Sequence, residues 1–238
     1  MAPERARLHY QDELNRLEQR ALEGLDLVAA ALDRTVEAVR HQDVERAELV
    51  IAGDDVIDGR YLEVHQAILT LLATQAPVAT DLRLIAALLH VMKNIERMGD
   101  QCVNVAKLIP IAAYGAPADE QILDKLVRMG RSVRSEIGQA KRAFEERDVD
   151  MARDLVRLDD VVDELNRDCF HLAIEIGDDH DRREWAMTMM LVARALERMG
   201  DNAVDIGEQV AFVVTGLFQE FEDASHPGEE VLPQRSSA

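Results

Sequence analysis

The chain has 238 residues, of which 47% are hydrophobic, 31% charged and only 4% aromatic, and it carries a formal net charge of −19. That is enough apolar material for one or two domains with a real core. So acidic a surface repels phosphodiester backbones and anionic lipid, which argues against nucleic-acid binding, and suits cations or basic partners if it does more than keep the protein soluble. Ala, Leu, Asp, Arg, Val and Glu are the commonest residues, and the abundance of Ala, Leu, Arg and Glu favours helices over sheets. Two cysteines, Cys102 and Cys169, lack CxxC spacing and fit a reduced compartment rather than a disulfide framework. The charged start lacks the apolar core of a signal peptide. The longest apolar stretch, Leu82–Met92, is broken by Arg83 and His90 and falls short of the ~18 residues of a membrane span. A cytoplasmic protein without direct membrane insertion is expected.

Six helical stretches follow one another: Pro3–Arg40, Asp43–Thr74, Val78–Ala112, Pro117–Arg147, Asp148–Gly177 and Asp181–Gly216. Pro77 separates the second and third. Pro110, Gly115 and Pro117 separate the third and fourth, and Gly177-Asp178-Asp179-His180 turns the chain before the sixth. From about residue 219 the composition shifts to Asp, Glu, Ser, Pro and Gln, which reads as a disordered acidic tail.

The chain is internally duplicated. DVERAELVIAGDDVID at 43–58 returns as DVDMARDLVRLDDVVD at 148–163, with seven of sixteen positions identical at an offset of 105. ERMGDQCVNVA at 96–106 returns as ERMGDNAVDIG at 197–207, six of eleven identical at an offset of 101. The four-residue difference falls in a turn, where length varies cheaply. Each half then reads as three antiparallel helices sharing a core. The expected fold is all-α, two tandem three-helix bundles, with a first repeat over 1–113, a second over 114–218 and the tail over 219–238.

Four acidic pairs recur at i,i+4 spacing: Asp54 with Asp58, Glu96 with Asp100, Asp159 with Asp163, and Glu197 with Asp201. Residues four apart share a helix face, so two such pairs on facing helices can surround a cation with hard oxygen donors. With 46 acids in 238 residues about nine such pairs arise by chance, so one pair alone says little. These four stand out because they repeat between halves, and because Glu96 and Glu197 interrupt apolar stripes, Ile85-Leu89-Met92 and Met190-Ala193. Like charges beside an apolar face are costly unless paired or metal-bound. A metal cluster and salt bridges to Arg97 and Arg198 both relieve that cost, and the sequence leaves the two open. Gly99 and Gly200, inside helices at matching places, suggest tight helix packing or a ligand close by. Asn104 and Asp205 extend the same faces by one turn as secondary candidates. Cys102 reads as core, and Asp168 with His171 as surface or core rather than ligand. There is no ExxH, no GxxxxGK[ST], no GxGxxG and no GxSxG. A carboxylate-bridged di-metal enzyme is the weaker alternative for want of histidine, and a metal-free helical scaffold the other. All-oxygen donors leave the metal open among Fe, Zn, Mn, Mg and Ca.

DDVID, PVATDLR and ERMGDQCVNVA, followed by DDVVD and ERMGDNAVDIG, resemble the PhoU family of phosphate-transport accessory proteins over about residues 1–216. The resemblance implies a non-enzymatic negative regulator of phosphate uptake and of the phosphate-starvation response. Its implied partners are the ATP-binding subunit of a phosphate ABC transporter and a phosphate-sensing histidine kinase, which would recruit it to the inner face of the membrane. Homodimers are common in the family. It also implies multinuclear metal clusters, divalent or trivalent, held by Asp54, Asp58, Glu96 and Asp100 in the first half and by Asp159, Asp163, Glu197 and Asp201 in the second. Asn104, standing where the second half has Asp205, makes the first site the less negative of the two.

Overall fold

The structure is a computed structural model that describes residues 2–113 and 118–221. Eight helical segments make six rods: α1 (Ala2–His41), α2 (Val44–Gly53) continued by α3 (Asp55–Thr74), α4 (Ala79–Ala113), α5 (Glu120–Glu146), α6 (Val149–Arg153) continued by α7 (Leu155–Glu175), and α8 (His180–Thr215). No strand occurs among the described residues. The second and fifth rods are each broken by one residue. Asp54 turns its N–H to Ile51 O, three residues back, a local tightening that bends the rod. Asp154 interrupts the fifth rod at a place that does not correspond to Asp54, and its N–H still reaches Asp150 O, four residues back.

Four helices begin on an aspartate whose carboxylate accepts backbone N–H groups the helix leaves orphaned: Asp43 from Arg46, Asp119 from Gln121 and Ile122, Asp148 from Met151, and Asp179 from Arg182. Such a cap is worth about 1 kcal/mol. The first and fourth rods end alike, on a left-handed residue just ahead of the next aspartate cap: Gln42 (φ 49°) before Asp43 and Arg147 (φ 56°) before Asp148. The duplication thus extends to turn geometry. Pro110 does not separate the halves as its residue type suggests. It lies inside α4, which runs on to Ala113. A proline so near the end forfeits one N–H bond to a helix that stops three residues later.

α1, α2–α3 and α4 form one bundle; α5, α6–α7 and α8 form the other. The bundles meet where α4 packs along α8 and α1 along α5, so one continuous core runs through both halves. Leu88, Met92, Ile95 and Met98 of α4 and Met189, Val192, Leu196 and Met199 of α8 are buried in it. The α1–α5 seam has a charged margin: Lys141 Nζ lies 2.7 Å from Asp26, Arg40 Nη1 2.7 Å from Glu120, and Arg147 Nη1 2.7 Å from Glu18. Trp185 Nε1 of α8 donates to Gln42 Oε1 at the end of α1, 3.2 Å away. At Gly130 a Cβ would overlap Val36 Cγ2, so this glycine lets α5 close on α1. Cys102 and Cys169 are free and buried, as core residues. The boundary between residues 113 and 114 and most of the acidic tail fall outside the described residues.

Candidate metal centres

The first centre lies where α3 begins beside the middle of α4. The α2–α3 bend sets Asp54 against Gly99, where a Cβ would sit 3.1 Å from Asp54 Oδ1 and 3.1 Å from Ile57 Cγ2. Glycine is needed there because a carboxylate and an isoleucine both press on the α4 backbone. Burial raises the Asp54 carboxyl above its ordinary range, and Asp58, Asp100, Asp55 and Glu96 push it further up. Asp100 is raised by burial and then by Glu96 and Asp58, while Lys93 and Lys107 pull the other way. The four acids of the first set therefore crowd one another across the α3–α4 junction. Glu96 is half-buried and paired with Lys93 Nζ at 2.7 Å. Asp58, Asp100 and Asn104 are exposed.

The second centre is deeper. Asp159 is 4% exposed and Glu197 7% exposed, while Asp163 and Asp205 are half-buried and Asp201 is exposed. Between them stands a residue the sequence motifs do not flag. Glu136, on α5, is fully buried, and neither carboxylate oxygen has a hydrogen-bond partner. A Cβ on Gly200 would overlap Asp159 Oδ1 and come within 2.9 Å of Glu136 Oε2. Gly200 is thus a notch in α8 filled by two carboxylates, not by another helix backbone. Burial pushes the Glu136 carboxyl up to about 8, with Asp159, Asp201 and Asp163 adding to it in that order. Asp205 is raised by burial, and Arg97 and His90 across the α4–α8 seam offset part of that.

Salt bridges relieve the glutamates of the repeated motif only in part, and through different bases than expected. Lys93 and Arg194, each three residues ahead, bind Glu96 and Glu197; Arg97 and Arg198 do not. Both basic residues precede their acids on the same face of the helix, so the i,i+3 geometry selects them. Glu197 Oε2 remains buried without a hydrogen-bond partner. Arg167 lies 4.0 Å from Asp163. Asp168 pairs with Lys125 Nζ at 2.6 Å and takes no part in either centre.

A cleft of about 290 Å³ opens at the second centre, lined by Asp159, Asp201, Val204, Asp205, Glu208, Glu220 and Phe221. Its donors are carboxylates, which suit hard cations. Glu136 does not line this cleft, but it shares the Gly200 notch with Asp159, which does, and an orphaned, fully buried carboxylate is what a cation would satisfy. The donor set therefore fits a metal, although among the described residues no three Asp, Glu, His or Cys side chains converge on one point as they stand.

The duplicated three-helix bundles have counterparts among known proteins. The family model described as the PhoU domain matches twice, over residues 21–109 and 126–210. The chain belongs to the PhoU family. A PhoU homolog of Clostridium acetobutylicum, named a phosphate-specific transport system accessory protein, is 32% identical over 183 residues, 76% of this chain and 83% of its own. A PhoU homolog 1 of Mycobacterium leprae with the same accessory role in its name is 32% identical over 229 residues, 93% of this chain and 99% of its own. The crystal structure of PhoU from Pseudomonas aeruginosa superposes with a TM-score of 0.79 at 25% identity, covering 87% of this chain and all of that one. That of the phosphate transport system regulatory protein PhoU from Streptococcus pneumoniae has a TM-score of 0.81 at 24% identity, covering 88% and 99%. The two PhoU domain matches fall on the two bundles, α1 to α4 and α5 to α8.

Glu136 carries no i,i+4 acid and has no counterpart in the first half, where the corresponding residue is Ala31. One signal could have found it. Met129, Val133, Ala140 and Ala143 make a buried stripe along α5, and Glu136 interrupts it as Glu96 interrupts that of α4.

Proposed function

We propose that this chain is a non-enzymatic regulator of phosphate uptake whose two acidic centres hold metal ions. The observation that carries the regulatory reading is the PhoU domain matched on both halves, together with relatives named as phosphate-specific transport accessory proteins that align along most of their length. The chain would restrain a phosphate ABC transporter through its ATP-binding subunit and hold a phosphate-sensing histidine kinase in its phosphate-replete state. Acting there, it would work at the inner face of the membrane. No helix among the described residues is long and apolar enough to cross a membrane, so membrane contact would run through those partners.

The metal reading is supported by Glu136, whose burial without a partner among other acids is costly in a metal-free protein. Asp54, Asp58, Glu96 and Asp100 would hold one group of ions, and Asp159, Asp163, Glu197, Asp201 and Glu136 the other, with Asn104 and Asp205 at their edges. A bound di- or trivalent cation supplies positive charge that neutralises the carboxylates and ties α5, α7 and α8 together. Iron, zinc, manganese, magnesium and calcium are the candidates. The pairs Lys93–Glu96 and Arg194–Glu197 favour the competing, metal-free scaffold.

Two measurements decide. Elemental analysis of protein purified without chelator should find metal, lost on replacing Asp159 and Asp201 together by Asn; no metal after reconstitution with each candidate leaves the scaffold. A clean gene deletion should derepress phosphate-starvation genes in phosphate-rich medium; unchanged expression overturns the regulatory reading.

A further inference from the structure

The chain does not leave the second centre at the end of α8. Gly216 turns it with a left-handed φ of 78°, and residues 217–221 fold back along the helix they have just left. The Phe221 backbone N–H donates to Glu208 Oε1 at 2.8 Å. Its ring lies against Gly207, where a Cβ would meet Phe221 Cε2 at 3.3 Å. Phe218 stacks at a tilt on Phe212, 5.4 Å between centroids, and reaches His90 of α4. Phe221, packed against the core, is the main anchor of this short segment, while Phe218 stays largely exposed. Between them lies Glu220, an exposed residue at the rim of the cleft that also contains Asp159 and Asp201. Beside Asp159, at the Gly200 notch, stands Glu136, fully buried and without a hydrogen-bond partner.

The geometry points to a capped cation site: Glu136 is its floor ligand and Glu220, held in place by Phe221 and Phe218, closes it from the solvent side. This rests on the metal reading proposed above and adds two ligands outside the duplicated motifs, together with a means of retaining the ion. A carboxylate brought by the segment that follows α8 adds a hard oxygen donor and a negative charge, the two quantities that set affinity at all-oxygen sites. Phe221, partly buried against Gly207, shields one side of it. The first centre has Ala31 where the second has Glu136, and Asn104 where the second has Asp205. The second centre is accordingly the tight, slowly exchanging one and the first the exchangeable one.

The test uses the full chain, with Asp54→Asn and Asp100→Asn present throughout so that the second centre alone is counted, and manganese(II) as probe. Retained manganese is measured after gel filtration, and its release is followed on mixing with excess chelator. The parent should retain the ion and lose it on Asp201→Asn. Phe221→Ala, which removes an anchor but no carboxylate, should speed release roughly tenfold or more with the stoichiometry kept. Glu220→Gln and Glu136→Gln should each weaken binding on the order of 10–100-fold, the range for losing a supporting group at a metal site. If Asp201→Asn abolishes retention while Phe221→Ala and Glu220→Gln leave release and affinity unchanged, the cap is refuted and the metal reading stands. If the parent retains no manganese, the capped site is refuted; if it retains none of the other candidate ions either, the metal reading falls with it.

Discussion

Replacing Glu136 by glutamine should stabilise the metal-free protein, and the gain should grow with pH in a way that identifies its cause. In the unfolded chain the carboxyl titrates near its ordinary 4.5; in the fold, burial first and then Asp159, Asp201 and Asp163 hold it up to about 8. Below pH 4.5 both states are protonated and the residue is harmless. As pH rises from there, the unfolded chain releases the proton while the folded chain keeps it. Stability then falls by about 1.4 kcal/mol per pH unit until the folded carboxyl itself ionises. The accumulated cost is about 3 kcal/mol at pH 7 and levels off near 5 kcal/mol above pH 8. Glutamine has the same shape and no charge to lose, so Glu136→Gln should match the parent near pH 4.5 and exceed it by about 3 kcal/mol at pH 7. Urea denaturation of chelator-treated protein at pH 5, 6, 7 and 8, parent against variant, measures this directly. Parallel stability profiles for the two proteins would refute the reasoning, because they would mean that Glu136 finds a partner or solvent in the fold. With metal bound the sign should reverse, since a cation beside the carboxylate favours its charged form and the glutamine variant forfeits that binding energy.

Gly200→Ala should keep helicity and unfolding midpoint near those of the parent, because the added methyl meets carboxylate ends and gains about 0.5–1 kcal/mol of helix propensity. It should still reduce metal retention by displacing Asp159 and Glu136. Gly130→Ala should behave oppositely: its Cβ overlaps Val36, a β-branched side chain with little rotamer freedom, so a loss of about 1–3 kcal/mol is expected in denaturant titration with the metal content intact. Cys102 and Cys169 are buried, their thiols pushed up to about 12 and about 11 by burial, so Ellman's reagent at pH 8 should react with neither until denaturant is added.

The six rods are legible in the sequence because each long stretch keeps a helical period and most junctions carry their own chemistry, such as Asp43 and Asp148 as caps and Gly177 and Gly216 as left-handed turns. The bends at Asp54 and Asp154 are not legible. Gly53 precedes Asp54, but no glycine or proline adjoins Asp154, and the apolar period runs through both. The crowding of Asp54, Asp58, Glu96 and Asp100 follows from the same-face spacing on two neighbouring helices, whereas Glu136 is invisible to any search for repeated pairs because it has no double. Its only trace is an acid standing on an apolar stripe, and that trace gains meaning once α5, α7 and α8 are packed together. Phe221 could not be read either, since it follows a glycine turn into a polar segment whose composition favours disorder.

The hydrogen bond from Trp185 to Gln42 has a practical consequence. The protein's only indole sits at the junction of the two repeats, buried and tied to the last turn of α1. Its emission is a built-in gauge of that junction: any partner or ion that shifts one bundle against the other changes the environment of a single fluorophore, and the shift can be read without a label.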